Sequence, residues 1–188
     1  MRKGQFFMVG TLLVAIIIFV VIGIRGSAFI TGDAESNTRN YFVRGVEEFP
    51  RAVDSALKEN REIENLRKAL KNYMDFLDYS NSQRGLSADY YFMAGIRREN
   101  SYDIVFGNFM DESIPELNIT LDGNRKEYSD VRVGTFTDSF STGSEDFRAS
   151  VEFGEKTRSV RVLDRNFYFI QGIAEGTRGV WRRDISSK

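Results

Sequence analysis

One uncharged apolar segment limits what this chain can fold into more than any other feature of its sequence. Residues 6–24 read FFMVGTLLVAIIIFVVIGI, and fourteen of these nineteen residues are Leu, Ile, Val or Phe. As an α-helix the segment would be roughly 28 Å long, close to the thickness of a bilayer's hydrocarbon core. The fourteen side chains would favour insertion by roughly 4–8 kcal/mol. We therefore expect Phe6–Ile24 to be a transmembrane helix in contact with the lipid bilayer.

The charges that flank this segment predict its orientation. Arg2 and Lys3 precede it, whereas Arg25 is followed by Asp33 and Glu35. Because positive charge favours the cytoplasmic side of a membrane, the N-terminus is predicted to be cytoplasmic. No later segment is comparably apolar, so we expect a single-pass cell-membrane protein with an extracytoplasmic C-terminal domain.

The composition excludes several function classes. The chain has 26 basic and 27 acidic residues, and the basic excess is confined to residues 1–32. The acidic remainder argues against nucleic-acid binding, which needs a basic face. Cysteine and histidine are both absent, which removes thiolate nucleophiles, the commonest general base and the usual zinc ligands. We expect a protein that is not an enzyme and that has no cofactor.

A short basic peptide ending in glycine stands directly before the apolar segment. Residues 1–4 read MRKG, and the next residues are Gln5, Phe6 and Phe7. This order resembles the prepilin leader, or class III signal, of archaeal type IV pilin-like surface proteins. The resemblance implies that a prepilin peptidase cleaves between Gly4 and Gln5 and leaves the apolar helix as the anchor.

One position departs from the pilin pattern, and other fates for the segment stay open. Many pilins carry a glutamate at the fifth position of the mature chain, where this sequence has Val9. The departure puts filament polymerisation in doubt. A permanent signal anchor is one alternative, and secretory cleavage near the small residues at 26–28 is another.

The region after a linker at residues 26–35 is predicted to be helical. Apolar residues recur every seven positions through residues 36–85, a region we interpret as a helical neck. The positions are Phe49, Ala56, Ile63, Leu70 and Leu77. A break is expected at residues 47–50, since Pro50 suits a first helical turn, and a turn at residues 60–62. Packing of this stripe on its own domain is favoured over a coiled coil, which needs more uninterrupted heptads.

Residues 86–188 change to the period-two pattern that is typical of β-strands. We predict eight short strands, near 89–97, 102–109, 116–121, 130–137, 147–153, 157–163, 166–173 and 178–183. Short turns between them favour an antiparallel sheet or sandwich. The predicted fold class is therefore α+β, with a transmembrane helix at 5–25 after a leader at 1–4, a helical neck and a C-terminal β domain.

Few residues of the β region point to chemistry. Asn118-Ile119-Thr120 is an N-glycosylation sequon, so Asn118 is a candidate modification site. The polar stretch at residues 135–146 is interpreted as a surface loop. We predict a pilin-like surface protein with a structural or interaction role, which self-associates or binds other surface proteins. The alternative is a monomeric, signal-anchored binding module for a glycan or a protein.

Overall fold

The computed structural model describes residues 36–58, 61–163, 165–176 and 179–187. The chain divides into two compact units, Met1–Asn40 and Tyr41–Lys188, and nearly all described residues belong to the second. Helix α1 covers residues 36–58, and helix α2 covers Ile63–Ser82. The leader and the predicted span at Phe6–Ile24 lie outside the described residues.

Nine antiparallel strands in the described part of the chain follow the helices. They are β1 (Ser87–Arg97), β2 (Ser101–Phe109), β3 (Ile114–Leu121), β4 (Asn124–Val131), β5 (Gly134–Ser141), β6 (Asp146–Phe153), β7 (Lys156–Leu163), β8 (Phe167–Gly176) and β9 (Gly179–Ser186). A five-stranded sheet has the order β5-β2-β1-β8-β9, and a four-stranded sheet has the order β4-β3-β6-β7. All the pairs are antiparallel, and short connections account for this in the four pairs of consecutive strands, β1–β2, β3–β4, β6–β7 and β8–β9.

The two sheets pack face to face around one apolar core. Alternate residues of each strand point inward, for example Leu117, Ile119 and Leu121 of β3, which are all fully buried. Tyr91 of β1 packs edge-to-face against Phe153 of β6, with ring centroids 4.9 Å apart. This geometry is favourable for aromatic pairs and joins the centres of the two sheets.

The helices cover the outer face of the five-stranded sheet and form a second core with it. Eight large apolar side chains of α1 and α2 are buried there: Phe42, Val46, Phe49, Val53, Leu66, Leu70, Met74 and Leu77. At roughly 1.5–3 kcal/mol each, their burial contributes on the order of 10–20 kcal/mol. Strand β1 is consequently buried on both faces from Tyr90 to Ile96. The structure is thus a three-layer arrangement of helices, sheet and sheet.

Glycines on the five-stranded sheet allow close approach of bulky neighbours. A Cβ at Gly172 would lie 2.9 Å from Val46 Cγ2 and 3.0 Å from Phe42 Cζ, both on α1. Gly107 faces Phe92 across the β1–β2 pair, and a Cβ there would overlap the phenyl ring. The absence of a side chain therefore lets α1 lie on the sheet and lets a ring cover the glycine of the neighbouring strand.

The predicted fold class is wrong. Within the described residues the structure is mostly β-sheet, at 53%, with two helices. No helix in the described ranges is both long and apolar enough to cross a membrane. The helices form a layer on the sheet instead of a neck, because their apolar stripe is wide enough to be buried along its whole length. The interpretation of that stripe as a contact within its own domain is confirmed.

Two local predictions are also wrong. Helix α1 continues through Pro50, because the burial of Val46, Phe49 and Val53 outweighs the roughly 3 kcal/mol that an internal proline costs. The stretch at 135–146 is not one surface loop, since residues 134–141 form edge strand β5. The single strand predicted near 130–137 is in fact the end of β4 and the start of β5, which belong to different sheets.

Candidate functional site

Two open clefts lie at opposite ends of the unit formed by Tyr41–Lys188. Strand β1 begins near one of them and ends near the other, so its length separates them. Asp89, at the start of β1, lines the first cleft, and Arg97, at the end of β1, lines the second. Eight residues of extended strand correspond to roughly 26 Å.

The first cleft, which we call the acidic cleft, has a volume of about 700 Å³. Its charged lining consists of Asp89, Asp111, Glu112, Glu155 and Lys156. These residues come from the start of β1, from the β2–β3 connection and from the β6–β7 turn. Carboxylates therefore outnumber the single lysine by four to one, which makes the charged lining of this cleft negative.

Buried and half-buried polar contacts hold the β2–β3 connection in place. The fully buried Asn108 donates from Nδ2 to the carbonyl oxygens of Glu112 and Val131, at 3.1 Å each. Its Oδ1 accepts the Met110 N–H at 3.1 Å. The Asp111 N–H donates to Asp89 Oδ1, also at 3.1 Å. The backbone around the acidic cleft is therefore ordered before any partner binds.

The second cleft, which we call the arginine cleft, has a volume of about 560 Å³. The helix connection contributes Arg61, the β1–β2 turn contributes Arg97, Arg98 and Glu99, and the β7–β8 connection contributes Arg165. Three separate segments thus bring four guanidinium groups to one concave surface. Guanidinium groups bind carboxylates through paired hydrogen bonds, so this surface suits an acidic group.

The arginines differ in how far they are already engaged. Arg98 Nε lies 2.7 Å from Asp103 Oδ2, and its Nη2 donates to the Arg61 carbonyl at 3.0 Å. The Arg97 backbone N–H donates to Asn166 Oδ1 at 2.9 Å. The guanidinium groups of Arg61 and Arg165, in contrast, form no hydrogen bond or ion pair within the described residues. These two are the groups that a partner can neutralise.

The loops beside the arginine cleft are also held by side-chain contacts. Asp122, in the β3–β4 turn, accepts the N–H groups of Gly143 at 2.7 Å and Ser144 at 2.9 Å. The Gly143 N–H, together with the Ser144 hydroxyl and N–H, keeps the pKa of Asp122 below its usual range. Asn124 Nδ2 donates to the Ser141 carbonyl at 2.7 Å. This end of the sandwich is thus a preorganised surface, which lowers the entropy cost of binding.

A buried polar chain connects the two sheets between the clefts. Tyr91 donates to Gln171 Oε1 at 2.8 Å, and Gln171 Nε2 donates to Asp184 Oδ1 at 2.7 Å. Asp184 also pairs with Arg158 of the four-stranded sheet at 3.2 Å. Desolvation by burial raises the pKa of Tyr91. Because the chain joins β1, β8, β9 and β7, we assign it a role in holding the sheets together.

Of the site residues predicted from the sequence, the structure describes Asn118, which lines neither cleft. Gly4, Gln5 and Val9 are outside the described residues. Asn118 lies in the middle of β3, is 9% exposed, and contacts Glu116 Oε1 through Nδ2 at 3.4 Å. Its glycosylation stays a prediction. Among the residues that the structure describes, no cluster of three or more Asp, Glu, His or Cys side chains could hold a metal ion.

Comparison with known proteins gives no match to any family model, any curated protein or any solved structure.

Neither cleft was predicted from the sequence, although two charged dipeptides indicate them. Arg97-Arg98 stands at the end of β1, and Asp111-Glu112 follows β2. Consecutive antiparallel strands run in opposite directions, so they finish at opposite ends of the sheet. Opposite charges that directly follow two successive strands therefore indicate clefts of opposite charge at these two ends. The remaining residues of each cleft come from distant segments that only the fold brings together.

Proposed function

We propose that this chain is a membrane-anchored, extracytoplasmic surface protein of pilin-like type with a structural or interaction role. The observation that carries the proposal is the uncharged segment at Phe6–Ile24 with a basic peptide before it. A segment of this length and composition favours insertion into a bilayer. Prepilin peptidase, cutting between Gly4 and Gln5, is the processing partner that the leader implies.

The unit Tyr41–Lys188 supports an interaction role through its surface. Its two cores are filled with apolar side chains, and its described clefts carry charged side chains at the two ends, beside apolar ones such as Met110 and Pro115 in the acidic cleft. Charged and preorganised surfaces of this kind favour specific recognition of an oppositely charged partner. The proposal is therefore a protein that presents its ends to other surface proteins.

Two carboxylates with a lowered pKa are already hydrogen-bonded to neighbouring side chains, which supports a non-catalytic role. Asp138 accepts hydrogen bonds from Lys126 and Tyr128, which bridge the two sheets. Asp146 accepts two hydrogen bonds from Arg161 on the neighbouring strand, and these keep its pKa low. A general acid near neutral pH needs the opposite shift, toward a raised pKa.

The second candidate function is a monomeric, signal-anchored binding module. Val9 favours it, because the glutamate that pilins use within filaments is missing at this position. The outward residues of β3 and β6, such as Thr120, Ser150 and Glu152, are polar and offer no aromatic platform for sugar stacking. Within this alternative, this face of the four-stranded sheet favours a protein ligand over a glycan.

Intact mass and N-terminal sequencing of the chain from its native membrane test the proposal. A mature chain that begins at Gln5 is expected and supports the pilin-like form. A chain that begins at Met1 favours the signal-anchored module, and one that begins near Phe29 indicates a released domain. Cell fractionation is run in parallel, with protease added to intact cells. Recovery of the chain as a soluble cytoplasmic protein contradicts both functions.

A further inference from the structure

The two clefts carry opposite charge at opposite ends of one unit. The described lining of the acidic cleft has a formal charge of −3, from four carboxylates and Lys156. The described lining of the arginine cleft has a formal charge of +3, from four arginines and Glu99. Asp103 beside it neutralises Arg98, whereas the sequence neighbours Glu59 and Asp164 lie outside the described residues. The described linings of the two clefts therefore have opposite net charge.

The groups that remain unpaired on the two surfaces are chemically complementary. In the arginine cleft they are the guanidinium groups of Arg61 and Arg165. In the acidic cleft the carboxylates of Asp111, Glu112 and Glu155 form no ion pair within the described residues. Guanidinium and carboxylate groups form strong charge-assisted hydrogen bonds when they are brought together out of water.

We infer that the arginine cleft of one copy of this chain binds the acidic cleft of a second copy. The inference rests on the interaction role proposed above, and it names the partner as the chain itself. Such a contact is heterologous, because two different surfaces of the same chain meet. Each added copy leaves one arginine cleft and one acidic cleft free, so further copies can add in the same way.

The exposed β6–β7 turn is the part of the acidic cleft that we expect to enter the second copy. It is a two-residue hairpin turn at Gly154 and Glu155, with φ of 53° at Gly154. The arginine cleft is an open concave surface of about 560 Å³, which leaves room for such a turn. Glu155 on the exposed turn is the residue we place between Arg61 and Arg165 of the second copy.

Two charge-reversal variants of the full-length chain in detergent test this contact. The first variant is R61E/R165E, and the second is D111K/E155K. Each variant alone brings like charges together, so its self-association measured by sedimentation is expected to weaken about tenfold or more. An equimolar mixture of the two is expected to restore association, because every cleft then meets the opposite charge. The wild-type association is also expected to weaken as salt is raised.

A control matched to R61E/R165E makes the same change of charge elsewhere in the unit. Lys68 on α2 and Arg148 on β6 are exposed and lie outside both clefts. The variant K68E/R148E is expected to associate like the wild type. Equal weakening by this control would show that only net charge matters and would overturn the inference. If both charge-reversal variants self-associate as strongly as the wild type, the contact lies in another part of the chain. That result would also overturn the inference.

Cysteine cross-linking identifies the surfaces that meet, since the chain has no cysteine of its own. The single variants E99C, in the arginine cleft, and S113C, in the acidic cleft, are oxidised separately and as a mixture. A cross-linked dimer is expected only in the mixture. Cross-linking of each variant with itself to the same extent would indicate another geometry and contradict the contact. Cell fractionation would show separately whether the proposed membrane anchor is wrong. The association and cross-linking results would not change in that case.

Discussion

Asp138 joins the two sheets at the edge where β4 leads into β5. Its carboxylate accepts a hydrogen bond from Lys126 Nζ at 2.8 Å and one from the Tyr128 hydroxyl, both on β4. Partial burial acts to raise the pKa of Asp138, but the bonds from Lys126, Tyr128 and the Ser139 N–H outweigh it and lower the pKa. A lowered pKa means that the folded state favours the ionised carboxylate.

We expect D138N to lower the free energy of unfolding at neutral pH by roughly 1–2 kcal/mol, because it weakens charge-assisted hydrogen bonds. The stability from ionised Asp138 is present above its unfolded pKa, near 3.8, and is lost as the pH falls through the lower folded pKa. The wild type should therefore lose more stability than D138N on acidification. Urea unfolding at neutral and acidic pH measures both effects.

Asp130 provides the matched control on the same strand. It is exposed, lies 3.9 Å from Arg132, and has a positive φ of 51° that asparagine also tolerates. D130N should unfold like the wild type at both pH values. If D130N and D138N were equally destabilised, the contact between β4 and β5 would not explain the loss.

Gly107 is a residue at which one added methyl group has a large effect. The Phe92 ring lies over it, so a Cβ would overlap the ring. We expect G107A to lower the free energy of unfolding by about 1–3 kcal/mol, because Phe92 is fully buried and has no room to move. G143A, in an open loop, should cost far less. Thermal unfolding measures the difference, and equal melting temperatures for the two variants would contradict this account.

At the scale of elements, α1 is held as a helix by its contacts more than by its local sequence. Pro50 lacks the N–H that would bond to the Val46 carbonyl, yet the helix runs unbroken from residue 36 to 58. Val46 and Phe49, next to it in space, are fully buried against the sheet. Tertiary burial therefore overrides the local preference.

Replacing this proline should stabilise the protein. P50A restores a donor to the helix, and we expect the free energy of unfolding to rise by about 1–3 kcal/mol, less the entropy that the unfolded chain regains. Guanidinium unfolding followed by circular dichroism measures the change. The control is A52G, at a half-buried position of the same helix, which should destabilise by about 1 kcal/mol. A loss of stability in P50A would mean that the ring itself contributes to packing.

The sequence predicted the elements better than their arrangement. Alternation at 147–153 and 157–163 marks β6 and β7 because each strand has one buried and one solvated face. The same alternation continues through residues 131–136, so the sequence predicts one strand where the structure has the end of β4 and the start of β5. Asp130 and Gly134 have positive φ there, and the chain crosses from one sheet to the other.

The sites were less predictable than the strands, for a physical reason. The sequon at Asn118 is a contiguous signal, but the arginine cleft is assembled from three segments that are far apart in the chain. Arg61 and Arg165 are separated by about a hundred positions and meet only because the helices lie on a sheet whose strands end beside them. Short-range sequence patterns do not predict contacts between segments so far apart in the chain.

At the scale of the whole molecule, buried and half-buried tyrosines couple stability to alkaline pH. Burial, followed by the charge of Glu48, raises the pKa of Tyr73 to about 12, and its hydroxyl donates to the Gly45 carbonyl at 2.5 Å. Burial also raises the pKa of Tyr90 and of Tyr128. A raised pKa means that the folded state favours the neutral phenol.

We expect the free energy of unfolding to be independent of these phenols below pH about 10 and to fall as the pH rises toward 12. Below the unfolded pKa the phenols are neutral in both states, whereas above it only the unfolded chain ionises freely. Denaturant unfolding at several alkaline pH values measures the slope. Y73F should have a shallower slope than the wild type. A flat profile up to pH about 12 would contradict the burial of these hydroxyls.

The position of β1 in the five-stranded sheet has a consequence for synthesis on the ribosome. β1 pairs with β2 soon after both have emerged, but its other neighbour, β8, is made about eighty residues later. Until then one edge of β1 has no partner, while α1 and α2 have already been made and are able to cover its face. The nascent chain therefore carries an open, aggregation-prone strand edge while residues 98–166 are translated. Completion of the fold is a late event, and a stop codon before residue 167 would release a chain whose central strand lacks β8.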